Sequence, residues 1–104
     1  MPSSRLEMLQ NMIGQDPRNM FARYGLAMEY KNSGDFEEAV KAFSALLEIE
    51  PTYSAAYFHG GQSLEKAGRV EEARDMYRRG VEATQSSGDD HARAEMQGAL
   101  DLLG

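Results

Sequence analysis

The sequence returns to itself every 34 residues, and this period constrains the fold more than any other feature. Asp16-Pro17 recurs as Glu50-Pro51. Gly34-Asp35-Phe36-Glu37-Glu38-Ala39 recurs as Gly68-Arg69-Val70-Glu71-Glu72-Ala73 at the same offset, as do Tyr24 (Phe58), Tyr30 (Leu64) and Phe43 (Tyr77). Identity between the copies is low, yet the shared positions are those that carry turns and packing. One structural unit is used twice, and such a unit buries its apolar face only by stacking on a neighbour.

Each copy reads as two helices. In the first, Phe21, Tyr24, Met28 and Lys31 follow helical spacing, while Leu26, Ala27 and Tyr30 form an inner stripe. Gly34 supplies the left-handed residue that ends a helix, and Asp35 can cap the next. The following helix sets Phe36, Ala39, Val40, Phe43, Leu46 and Leu47 on one face. Pro51 closes it, because the residue before a proline is pushed out of the helical region. The second copy repeats the plan, with a helix from Tyr53 to Ala67, a turn at Gly68-Arg69, and a helix from Val70 to about Ala83. Upstream, Ser4 and Glu7 have capping-box spacing and open a helix with Leu6, Leu9, Met12 and Ile13 on one face. Downstream, Gln85-Ser86-Ser87-Gly88 reads as a polar linker, with Asp89 or Asp90 capping a last helix that ends in Ala99, Leu100, Leu102 and Leu103. The expectation is one all-α domain of six helices: a half-unit over 4–15, units over 18–51 and 52–85, and a capping helix over 89–103.

A 34-residue helix–turn–helix unit with these residues resembles the tetratricopeptide repeat family. The likeness is carried by Leu26, Ala27, Tyr30, Gly34, Ala39, Phe43 and Pro51, and again by Tyr57, Gly61, Leu64, Gly68, Ala73 and Tyr77. It covers residues 20–87, and the flanking helices extend it to the whole chain. Small residues at Ala27, Ala39, Gly61 and Ala73 let helices approach, and Tyr30, Phe43, Leu64 and Tyr77 fill the remaining gap. The resemblance implies a right-handed α-solenoid of antiparallel helix pairs, with a concave wall lined by the first helix of each unit. Three positions depart from the family pattern: Arg23 replaces an aromatic, Gly60 a large apolar residue, and Gln85 the terminal proline of the second unit. Two glycines inside a helix cost about 2 kcal/mol relative to alanine. Gly60-Gly61 therefore marks either close backbone packing or a kink that shapes the binding surface.

Composition excludes several function classes. Seventeen acidic against eleven basic residues give a net charge of −6, divided as −3 on either side of residue 52. Phosphate binding needs clustered Lys and Arg, so nucleic acid and anionic lipid are disfavoured as partners. The absence of cysteine removes disulfides, thiolate metal sites and cysteine nucleophiles together. No apolar run reaches the roughly 18 residues of a membrane span, and the start of the chain lacks a signal-peptide pattern. A cytoplasmic protein is expected. The two histidines, His59 and His91, match no established zinc spacing, and Gly60-Gly61 lacks the lysine of a phosphate-binding loop. Glu37-Glu38 and Glu71-Glu72 fall in the first turn of a helix, where the macrodipole favours negative charge. Neither an enzyme nor a cofactor is expected.

Binding is what remains. The resemblance implies that the concave wall holds a peptide segment of a partner protein. By helical face, the groove candidates are Phe21, Tyr24, Met28 and Lys31 from the first unit. Phe58, His59 and Gln62, with Ala55 and Glu65, come from the second, and Arg93 and Met96, with Ala92, from the last helix. Relatives that grip the acidic tails of heat-shock chaperones use Lys and Asn on the first helix. The matching places here hold Tyr24, Met28, His59 and Asp89, and only Arg93 fits, so an acidic tail is disfavoured. The net negative charge points instead to a neutral, apolar or basic segment. The competing expectation is a self-associating scaffold, a homodimer formed through the end faces or the groove.

Overall fold

The structure is a computed structural model that describes residues 4–104. Its helices are α1 (Ser4–Gln15), α2 (Met20–Asn32), α3 (Phe36–Ile49), α4 (Ser54–Lys66), α5 (Val70–Ser87) and α6 (Asp90–Leu103). Each packs on the next in sequence, and α4 also touches α2 and α6. The molecule is thus two antiparallel pairs, α2–α3 and α4–α5, with α1 at one end and α6 at the other. Its extents are 38 × 28 × 18 Å.

The two interhelical turns are built alike. Gly34 and Gly68 have φ of 82° and 79°, a conformation open to glycine at little cost. In each turn the next residue closes the helix end: Asp35 N–H donates to Tyr30 O (2.9 Å), and Arg69 N–H to Leu64 O (2.8 Å). Asp35 occupies the N-cap of α3, but its side chain makes no capping bond there. At the start of the chain, Ser4 is already helical and so stands inside α1 rather than capping it. Two caps form as side-chain bonds: Asn19 accepts from Ala22 N–H, and Asp89 from Ala92 N–H. The former went unread in the sequence.

The expected helix Tyr53 to Ala67 runs from Ser54 to Lys66 with those two residues as its caps, and the end of the next helix differs by more. Residues 85–87 are the last turn of α5, not a linker, and the helix ends at Gly88 with φ 76°. Gln85 replaces the proline that stops α3, so nothing interrupts the ladder. Buried Thr84 leads into this turn with its Oγ1 turned back to Gly80 O and Val81 O, both at 2.9 Å, and Ser87 Oγ donates to Thr84 O at 3.3 Å.

Ala27, Ala39, Phe43, Leu46, Ala73, Tyr77 and Met96 are fully buried in one continuous core. Gly60 and Gly61 lie within α4, which runs unbroken to Lys66. A methyl group at Gly61 would come within 2.6 Å of the Tyr77 ring, whereas one at Gly60 would meet nothing nearer than 3.4 Å. Close packing accounts for Gly61. Gly80 plays the same part, since a methyl there would sit 2.7 Å from Tyr57 Cβ and collide with the Met96 sulfur.

Candidate functional site

The helices α2, α4 and α6 lie side by side, with α3 and α5 behind them. Three hollows run along this face. One of about 240 Å³ lies at the C-terminal ends of α2 and α4, bordered by Lys31, Gln62, Glu65 and Lys66. A second, about 320 Å³, lies at the N-terminal ends of α4 and α6, between Ala55, Phe58 and His59 on one side and Asp89, His91 and Glu95 on the other. The third is largest, a cleft of about 550 Å³ between α4 and α6. Phe58, Gln62, Glu65 and Tyr77 form one side of it, and Ala94, Glu95, Gly98, Ala99 and Leu102 the other.

His59 ties the first half of this face together. Its ring stacks on Phe43 with centroids 6.3 Å apart, and it meets Tyr24 and Phe58 edge-on at 6.1 and 5.4 Å. Lys31 Nζ donates to His59 Nδ1 at 2.8 Å and to Gln62 Oε1 at 2.6 Å. An ammonium group has no lone pair, so Nδ1 must be the acceptor and the ring is neutral, with its proton on Nε2. Burial pushes the His59 pKa below its usual value, and the Lys31 charge adds to this; Glu95 and the Gln62 hydrogen bond oppose it. Burial also lowers the Lys31 pKa, helped by the nearby Lys66 charge. The network is therefore uncharged on the imidazole and cationic at Lys31.

The cleft between α4 and α6 has a different chemistry. Phe58 and Tyr77 place their ring centroids 6.3 Å apart at its floor. The Tyr77 hydroxyl donates to the Glu65 carboxylate. Burial, followed by that hydrogen bond and the Glu65 charge, raises the phenol pKa well above its usual value. On the α6 side Ala94, Gly98 and Leu102 recur every fourth residue and present small or apolar surface, with Leu102 91% exposed. In the sequence this spacing marks only the apolar end of a capping helix.

Tyr24, Met28, Lys31, Phe58, His59 and Gln62 are all half-buried. Lys31, His59 and Gln62 meet directly, Tyr24 and Phe58 join them through the His59 ring, and Met28 packs against the core. Phe21 stands in solvent, 73% exposed, one turn before Tyr24. Two candidates fall elsewhere. Met96 is fully buried, so it supports the face from beneath and offers no surface to a ligand. Arg93 pairs with Asp90 at 3.1 Å, and helical geometry puts it about 140° around α6 from Gly98, away from the cleft. Among the described residues, no group of three or more His, Asp or Glu side chains is placed to hold a metal ion. His59 and His91 border the same hollow, but His91 Nε2 lies 3.5 Å from Glu95.

The tetratricopeptide repeat family matches residues 9–89 of the chain. This is a tetratricopeptide-repeat protein. It is 31% identical over 91 residues to the TPR repeat-containing protein PA0015 of Pseudomonas aeruginosa, covering 88% of this chain and 87% of the relative. Among solved structures it is similar to protein BPP2914 of Bordetella parapertussis, with a TM-score of 0.83, 33% identity and coverage of 99% and 89% of the two chains. A tetratricopeptide repeat domain protein of Salinibacter ruber matches with a TM-score of 0.78 and 32% identity, over 85% of this chain and 89% of that one. Tetratricopeptide-repeat proteins generally mediate protein–protein interaction and are generally non-catalytic scaffolds. No helix among the described residues is long and apolar enough to cross a membrane.

Proposed function

We propose that this tetratricopeptide-repeat protein binds a peptide segment of a partner protein along the face formed by α2, α4 and α6. The observation that carries the reading is the open cleft between α4 and α6, continuous through Phe58 with the half-buried His59 and Tyr24. Aromatic rings beside polar groups that keep free hydrogen-bonding capacity suit a docked segment, whose side chains supply burial and whose backbone needs partners.

Selection of displayed random peptides on the immobilised protein tests this. Peptides that bind the native chain should be lost on Phe58→Glu, with the helical circular dichroism of the variant unchanged. Retention of the same peptides by a folded Phe58→Glu variant would remove the groove from consideration. Self-association remains the second reading because α1 exposes Met8 (49%) at one end while α6 exposes Leu102 (91%) near the other. Light scattering on Met8→Glu and Leu102→Glu separates it: an oligomer dispersed by either change supports assembly, and a monomer throughout supports the groove.

A further inference from the structure

Resting on the groove reading, we infer that the cleft between α4 and α6 selects a cationic amphipathic segment, with one apolar side chain in the cleft and a neighbouring lysine or arginine at its acidic rim. The apolar part follows from the lining: Phe58 and Tyr77 form the floor and Gly98 and Leu102 the opposite wall. The charge follows from the rim. The only ionised groups among the residues lining this cleft are the carboxylates of Glu65 and Glu95, and no lysine or arginine borders it.

Charge is divided along the face. Lys31 and Lys66 outnumber Glu65 at the hollow on the α2 side of α4, leaving it net positive. Asp89 and Glu95 border the hollow on the α6 side, opposite His59, which is neutral. Arg93, the basic residue of α6, is held by Asp90. A ligand cation is thus attracted to the α4–α6 side and repelled from the α2 side, which sets where along the face the charged residue of the segment lies. The Phe58 ring offers a second attraction, since a guanidinium or ammonium group can rest over an aromatic face while its methylene stem covers apolar surface. An acidic segment would meet Glu65 and Glu95 with like charge.

Three fluorescent twelve-residue peptides test the assignment by polarisation titration and amide shift mapping. The first has a central leucine flanked by lysines, the second replaces the lysines with glutamates, and the third replaces the leucine with serine. The lysine peptide should bind and shift the amides of Ala94, Gly98 and Leu102. It should bind more tightly than either control. Glu95→Lys should weaken the lysine peptide by about five- to tenfold and improve the glutamate peptide, a swap that partial unfolding would not produce. Equal binding of lysine and glutamate peptides, or no loss with Glu95→Lys, overturns the charge assignment. If shifts fall on Tyr24, Met28 and His59 but not on α6, the groove reading survives and this inference fails. If no peptide shifts any residue of α2, α4 or α6, both fail.

Discussion

The two repeat units share a frame but fill it differently. The 34-residue offset pairs Ala27 with Gly61, Phe43 with Tyr77, and Leu46 with Gly80. In the first unit an alanine, a phenylalanine and a leucine fill the space, and all three are fully buried. In the second, the larger Tyr77 takes room that Gly61 gives up, and Met96 from α6 fills the place left by Gly80. The second unit is therefore locked by contacts with rigid or neighbouring groups, where the first is filled by its own side chains. The trade also shapes the surface, because the tyrosine that replaces phenylalanine reaches Glu65 and lines the cleft.

The steepest difference should come from added methyl groups. Gly80→Ala collides with Met96 and with the immobile Tyr57 Cβ, and should lower unfolding free energy by about 2–3 kcal/mol in urea titrations. The alanine's helix propensity offsets only part of this strain. Gly61→Ala should cost about 2 kcal/mol, because the buried Tyr77 ring must shift out of its place against α4 and its bond to Glu65. The mirror change in the first unit, Ala27→Gly, creates no clash; it loses helix propensity, about 1 kcal/mol, and a buried methyl group, about 0.8 kcal/mol. A neutral Gly61→Ala would break the contrast between the units. Its neighbour sharpens it: Gly60→Ala has ordinary contact distances and should be neutral or stabilising by about 0.5 kcal/mol.

Tyr77→Phe makes the second unit like the first at this position. It removes the bond to Glu65, with an expected loss of about 1 kcal/mol, and should widen the cleft's tolerance for acidic ligands little, since Glu65 stays charged. The smallest effect is pH dependence. His59 stands where the first unit has Gly25, so only the second unit carries a titrating ring. Its folded pKa lies below the unfolded value, because burial and Lys31 disfavour the charged form. The stability this confers is fully present above the unfolded pKa, about 6.5, and is lost as pH falls through that value toward the folded one. Melting temperature should thus drop on acidification from neutrality, and His59→Gln should flatten that drop. An unchanged slope in the variant would show that other groups carry it.

Turns and core were legible because they obey local rules. Gly34 and Gly68 announced themselves as helix ends, and Ala39, Phe43, Ala73 and Tyr77 as core, through spacing alone. The end of α5 lies a turn beyond the expected linker start because Gln85 stands where the repeat's proline would stop the helix, and the polar run Gln85-Ser86-Ser87 reads as a linker by composition although nothing in it breaks the helix before Gly88. Met96 was read as groove surface because a methionine on a helical stripe looks the same whether it faces a ligand or fills the hollow beside a glycine 16 positions away. The Lys31–His59–Gln62 network joins residues from two units, 28 and 31 positions apart. Each partner was a candidate alone, but only the stacking angle of α2 on α4 brings them into contact.

Peptide binding along α2, α4 and α6 is tested most directly by amide shift mapping with a display-selected peptide. The expected result is a continuous set of perturbed residues running from Tyr24 and Met28 through Phe58 and Gln62 to Ala94 and Gly98. Perturbations confined to α3 and α5, or to Met8 and its neighbours on α1, would contradict it.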